Sequence, residues 1–302
     1  MSHLFGFIVW NVDPDFIHRG AIVITWFGFL YAVAFYMGYK NLSRIFKTEK
    51  LAHKQAERLV IYLIIGIFVF SRLGKMLVFD SRPFLEHPSD ILKFWQGHLF
   101  SYFSALGILV ALFFYIRQGF SKSYTWILDR LVIALCLSGF FIRLGNLLNS
   151  EFYGIETNVP WGFKFISDPV NKGFAMNVIK PHHPIQIYEA VLFLTVYLSL
   201  YSLYFRKRDS IKPGTLTGLA LVCNYGVLFF IDFLKNDKTA AGKFLLSHIH
   251  LNLDQTIAIF LVVSGIALLL IPAKYLEKKK TVKRVDKKVA VSQRSPGLLS
   301  RK

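Results

Sequence analysis

Arg143, Asn146 and Asn149 recur every three residues inside a stretch, Trp126 to Phe152, that otherwise has the sequence of a buried apolar helix, and Glu151 follows directly. Side chains three or four apart share one face of a helix, so this stretch carries a polar stripe where polarity is costly. A guanidinium at membrane depth is tolerated when it faces a partner, a wet cavity or a ligand, and such residues point to function by default. The alternative is an internal salt bridge, with Glu151 or Glu189 as the partner of Arg143.

The membrane premise rests on composition. Of 302 residues, 54% are hydrophobic and 30 are Phe, above the apolar share of about 45–50% usual for soluble domains even with glycine counted. Crossing a hydrocarbon core of ~30 Å takes about 20 apolar residues. Seven stretches approach that length: Ala21–Tyr39, Leu59–Phe79, Leu99–Ile116, Trp126–Leu148, Ile185–Phe205, Thr215–Leu234 and Leu253–Ile271. The expected fold class is therefore an all-α integral membrane protein, a seven-transmembrane-helix bundle occupying residues 21–272. Residues 1–20 read as an interfacial N-terminal arm anchored by Trp10. Asp13, Pro14 and Asp15 there, with no basic region ahead of an apolar one, argue against a cleavable signal peptide.

Orientation follows from the basic residues. With the N-terminus outside, the segments 40–58, 117–125, 206–214 and 274–302 lie inside and hold 23 of the 36 Lys and Arg, while the opposite loops hold 9. Basic residues concentrate on the cytoplasmic side, so the N-terminus is expected outside and the C-terminus in the cytoplasm, in a multi-pass protein of a bacterial cell (inner) membrane. The net charge of +18 is then what an anionic leaflet attracts, with no nucleic acid involved. Residues 273–302 form a basic tail, expected to be disordered, with no aromatic residue after Tyr275.

The familiar soluble chemistries find no support. Cys136 and Cys223 both fall in expected spans, where small apolar packing is the default. No CxxC, HExxH, GxSxG or P-loop pattern occurs. The polar residues gather instead at one depth. The segment of about 149–184 is longer than a simple connection and reads as an outer loop subdomain folded over the bundle mouth. It ends in His183-Pro184-Ile185-Gln186-Ile187-Tyr188-Glu189, which opens the fifth span. Pro184 suits a first helical turn, and Gln186 and Glu189 then project from one face. Glu189 as a helix cap and Tyr188 as a belt aromatic are the plainer readings. Together with His183, at the depth of Asn149 and Glu151, they point to a convergent polar site.

The runs Arg143-Leu144-Gly145-Asn146-Leu147-Leu148-Asn149-Ser150-Glu151-Phe152-Tyr153-Gly154 and His183 to Glu189 resemble the two signature motifs of the prolipoprotein diacylglyceryl transferase family. Weaker matches are Trp26-Phe27-Gly28 with Tyr31, Arg72-Leu73-Gly74, Trp95-Gln96-Gly97 and Asp232-Phe233-Leu234-Lys235. The resemblance spans roughly residues 20–272. It implies transfer of the diacylglyceryl group of phosphatidylglycerol to the lipobox cysteine thiol of prolipoproteins, with release of glycerol phosphate. The implied partners are phosphatidylglycerol, prolipoprotein signal peptides and membrane lipid. Arg143 becomes the candidate catalytic cation, because guanidinium offers phosphate a bidentate fork. Asn146, Asn149, Glu151, Gly154, His183, Gln186, Tyr188 and Glu189 become candidate substrate-binding residues. Neither a metal nor another cofactor is needed in this scheme.

Two positions depart from the family pattern. Counting from Trp95, Tyr102 stands where the family carries a histidine, the usual candidate base for a thiol whose ordinary pKa is about 8.5, and a phenol near 10 is a poor substitute. His98 lies one helical turn earlier as a displaced candidate. Leu228 stands where relatives carry an arginine, four residues before Asp232, and Lys235 replaces it imperfectly. Two expectations follow. One is a working transferase with Arg143, Tyr102 and His98 as catalytic candidates; the alternative is a non-catalytic, diverged member that binds anionic phospholipid or a lipoprotein signal peptide. A transporter has less support, for want of repeated halves.

Overall fold

The computed structural model describes residues 7–19, 22–78, 101–168, 171, 173–235, 248 and 250–276. His98, the Trp95-Gln96-Gly97 motif and the tail beyond Leu276 lie outside the described residues. Long helices fall on each of the seven expected spans: α1 Trp26–Thr48, α2 His53–Val78, α3 Ser101–Arg117, α4 Tyr124–Leu148, α5 Ile185–Lys207, α6 Thr215–Ile231 and α7 Leu253–Leu270, with a short α8 Ala273–Leu276. Four stretches are long and apolar enough to cross a membrane: Tyr124–Leu148, Ile185–Ser210, Thr215–Leu234 and Leu253–Leu270. α3, at 17 residues, is apolar but shorter.

The first span differs from expectation at both ends. Ile22–Thr25 is a strand, β3, paired antiparallel with β2, Asp15–Arg19, because a run of β-branched residues favours extended backbone. The helix starts only at Trp26, where the Thr25 hydroxyl accepts from the Gly28 amide at 3.2 Å. It then runs past Tyr39 to Thr48. Lys40, Arg44 and Lys47 end an apolar span without ending a helix, since lysine and arginine are good helix formers. Most of the expected loop 40–58 is therefore helical.

α4 is the central element and packs against α1, α5 and α6, while α2 packs on α3 and α7 on α6. Its core includes Ile127, Leu131, Ile133 and Ala134 against Leu42, Ile45 and Phe46 of α1 and Leu200 and Tyr204 of α5. At Gly145 the α1 backbone comes so close that a Cβ would meet the Phe27 Cα at 3.2 Å. The Phe27 amide donates to Asn149 Oδ1 at 3.2 Å. The start of α1 is thus pinned to the end of α4, the end that carries the polar stripe.

Over that end lies a small layer of chain. β1, Ile8–Trp10, pairs in parallel with β4, Phe163–Phe165. The Trp10 indole donates to the Leu147 carbonyl at 3.1 Å, and Trp10, Tyr153 and Ile187 pack on the buried cluster of Leu147, Phe163 and Phe165. Tyr153 stacks on Phe165 and donates to Asp168 at 2.5 Å. Burial, then the Asp168 carboxylate, raises the Tyr153 phenol well above its ordinary pKa. The N-terminal arm and the loop subdomain therefore share one packed layer.

Candidate functional site

The polar stripe is positioned by how α4 ends. Asn149 is the C-cap, the Glu151 amide donates to the Asn146 carbonyl at 2.9 Å, and the Ser150 amide to the Leu147 carbonyl at 3.0 Å. This is a Schellman closure, whose left-handed residue is usually glycine. Here it is Ser150, at φ 55°, and Phe152 two residues on has φ 59°. Left-handed backbone in a residue with a Cβ costs about 1–2 kcal/mol, and such outliers gather at functional sites. The closure turns Glu151 back over the stripe: its carboxylate accepts from Asn146 Nδ2 at 3.5 Å and Asn149 Nδ2 at 3.4 Å.

The second motif meets the first across α5. Gln186, nearly inaccessible to solvent, donates through Nε2 to the Glu151 carbonyl at 2.6 Å. One turn further on, Glu189 Oε2 stands 2.8 Å from Arg143 Nε. The internal salt bridge expected as the plainer reading of Arg143 is thus present, with Glu189 as partner. It is a close charge contact, and among the described residues the guanidinium makes no aligned hydrogen bond. Arg143 remains 27% exposed.

Glu189 has a second cation. Its Oε1 stands 2.8 Å from Lys235 Nζ, which also lies 2.6 Å from Asp232 Oδ1 and 3.7 Å from Asp254 Oδ2. These are close charge contacts without the alignment of hydrogen bonds, as the buried Glu189 Oε1 and Asp232 Oδ1 lack an aligned donor. The Asn252–Gln255 capping box fixes the start of α7, and Asn252 Nδ2 donates to the Asp232 carbonyl at 3.3 Å. One fully buried carboxylate therefore bridges two cations drawn from α4 and the end of α6.

The remaining candidates fall into two groups. The Gly154 amide donates to the His183 carbonyl at 2.9 Å, and a Cβ on Gly154 would lie 2.6 Å from the Leu234 carbonyl oxygen and 2.7 Å from Ile185 Cδ1. Only glycine fits that approach. His183 Nδ1 lies 3.2 Å from the Tyr188 hydroxyl, which accepts from the Trp161 indole at 2.8 Å. Burial, then the neighbouring His182, lowers the His183 pKa, so the ring is neutral at pH 7. Tyr188 is thus held by its hydroxyl to the loop subdomain. Tyr102 is on α3, 36% exposed. Leu228 is 8% exposed on α6, one turn before Asp232.

Asp254 was not singled out from the sequence. An acid in the first turn of α7 reads as a complement to the helix dipole, and nothing local reveals that it faces Lys235. Lys235 itself was legible only as a replacement for the arginine absent at position 228.

Comparison with known proteins identifies the family. The family model described as prolipoprotein diacylglyceryl transferase matches residues 14–271. A relative from Tolumonas auensis is 35% identical over 269 residues, covering 88% of this chain and 98% of its own. One from Chloroherpeton thalassium is 32% identical over 276 residues, covering 91% and 98%, and one from Porphyromonas gingivalis is 34% identical over 268 residues, covering 88% and 94%. All three are named phosphatidylglycerol–prolipoprotein diacylglyceryl transferase. With a family match running through both motifs and the helices that position them, the chain belongs to the prolipoprotein diacylglyceryl transferase family.

Proposed function

We propose that this chain transfers the diacylglyceryl group of phosphatidylglycerol to the cysteine thiol of a prolipoprotein signal peptide. It does so as a seven-span protein of the bacterial inner membrane, N-terminus outside and C-terminus in the cytoplasm. The names of its relatives support the reaction, and the Glu189 bridge between Arg143 and Lys235 carries the mechanism. A thiolate forms a C–S bond at the glyceryl carbon while that carbon's bond to the phosphate oxygen breaks. The electron pair leaves on glycerol phosphate. Charge develops on the departing phosphate, where cations held in place beforehand act most strongly. The Nη pair of Arg143 offers the fork, and Lys235 supplies the point charge that an arginine at position 228 would otherwise add. Asn146, Asn149 and Gln186 orient the head group, with Glu151 holding both asparagines. Gly154, His183 and Tyr188 shape the loop subdomain over the site.

The thiol proton needs an acceptor. Tyr102 occupies the histidine position, and His98 is the displaced alternative. The deciding assay follows lipid transfer from phosphatidylglycerol to a lipobox peptide by the purified full-length chain in detergent. Arg143→Ala is expected to abolish transfer, while Tyr102→His with Leu228→Arg is expected to raise it. Turnover of the unmodified protein at the rate of the double variant, unaffected by His98→Ala, would mean that neither histidine is the base. Phosphatidylglycerol binding that depends on Arg143 without any transfer would establish the non-catalytic reading, which Tyr102 and Leu228 favour.

A further inference from the structure

At the opposite end of α5 from Glu189, the 3-10 turn Arg208–Ser210 and Thr48, the last residue of α1, border an open recess of about 490 Å³ lined also by Phe205, Arg206 and Lys207. Its cations outnumber its acids. Asp209 is held by Arg208 Nε at 3.1 Å. The nearby Glu49 accepts from Arg130 at 2.9 Å and from the Tyr204 hydroxyl at 2.8 Å. Among the described residues no carboxylate pairs with Arg206 or Lys207. Arg208 Nη1 donates to the Thr48 carbonyl at 3.0 Å, so one cation is anchored and joins the ends of α1 and α5.

From this recess an aromatic ladder runs along α5 towards the bilayer. Phe205 and Tyr201 lie 4.5 Å apart between ring centres, and Tyr201 and Tyr197 5.5 Å. The two hydroxyls accept from Arg44 Nη1 and Asn41 Nδ2 of α1, each at 3.0 Å. The rings thus form a fixed, partly exposed apolar wall whose polar tips are already satisfied. A cationic recess continuing into such a wall matches a phosphate head group with an acyl chain below it.

We propose that this recess binds an anionic glycerophospholipid of the inner leaflet, its phosphate on Arg206 and Lys207 and an acyl chain along Phe205, Tyr201 and Tyr197. Twenty residues of helix separate Gln186 from Arg206. At 1.5 Å per residue that is about 30 Å, the thickness of the hydrocarbon core. A lipid here is therefore not the one that reacts at Arg143; it clasps α1 to α5 at the basic end of the bundle.

The test is native mass spectrometry of the full-length Arg143→Ala protein in neutral detergent, which removes the contribution of the outer site, titrated with dioleoyl-phosphatidylglycerol. Saturable retention is expected, weakened on the order of tenfold to thirtyfold by Arg206→Gln with Lys207→Gln, since each cation near an anionic surface adds about a fivefold gain. That pair of substitutions leaves Arg208 and its hold on Thr48 intact, and a thermal melt of the apo protein verifies the fold. Raising salt should release the lipid. Equal retention of dioleoyl-phosphatidylcholine, or an affinity unchanged in the double variant, would overturn the proposal. Displacement by millimolar inorganic phosphate, where chloride has no effect, would make the recess a free-anion site and overturn it equally.

Discussion

Arg130 and Arg143 lie 13 residues apart on the same helix, and each meets a glutamate from a neighbouring element. They have opposite fates. Arg130 is 6% exposed; its Nε and Nη2 both donate to Glu49 Oε1, at 3.2 and 2.9 Å, and its guanidinium stacks over Trp126 at 4.2 Å. Tyr204 completes the ring by donating to the same oxygen. Arg143 keeps two nitrogen groups unspent, and its glutamate is shared with a second cation. A buried arginine whose donors are consumed holds helices together, whereas Arg143 keeps the donors that the proposed function assigns to phosphate.

The contrast breaks most readily at Arg143. Arg143→Ala is expected to lower transfer by at least ~10²-fold, the scale of losing one preorganised donor to a developing anion, while the thermal melt of the apo protein falls less than for Arg130→Ala because Lys235 still faces Glu189. A large loss of folded protein would make Arg143 structural, like Arg130. Arg130→Ala should show the reverse. It leaves the partly buried Glu49 without its cation, a change approaching the about 3–5 kcal/mol of a broken buried pair, visible as a loss of folded yield or melting temperature.

Gly154→Ala tests how tightly the loop subdomain must close. Its Cβ would collide with the Leu234 carbonyl, and relief requires a backbone shift costing about 1–3 kcal/mol. Because Leu234 adjoins Lys235, KM for phosphatidylglycerol should rise together with the drop in stability; a stability loss with unchanged KM would detach the loop from the site.

The smallest effect concerns pH. The folded protein holds the His183 pKa below its ordinary value near 6.5, so the unfolded chain binds the proton more readily. This contribution to stability is complete above about pH 6.5 and is lost as pH falls through that value towards the lowered folded pKa. His183→Gln should flatten the dependence of the melting temperature between pH 7.5 and 5.5. An unchanged slope would assign it to another group.

Much of the site was legible in the sequence because its residues sit at helical spacing in apolar surroundings. The stripe Arg143, Asn146 and Asn149 and the pair Gln186 and Glu189 each identify a face, and the two faces meet. The distinction between Arg130 and Arg143 was not legible, since both read as charges within a span. Their partners Glu49 and Glu189 lie 81 and 46 residues away in sequence, and no local pattern says how many donors each consumes. The start of α1 was misplaced because hydropathy measures burial, and Ile22 to Thr25 is apolar and extended at once. Lys235 meeting three carboxylates likewise depends on the junction of α5, α6 and α7, which spacing along one helix cannot reveal.

Glu189 also bears on turnover. Before a head group arrives, its carboxylate already occupies the position between Arg143 and Lys235, so the empty enzyme holds a resident counter-ion and does not expose a bare cationic trap within the bilayer. On the proposed reaction, departing glycerol phosphate leaves behind two cations that Glu189 already neutralises in part, because that carboxylate is fixed in the chain beside them. Product retention, the usual hazard of a strong phosphate clamp, is relieved by the clamp's own wall.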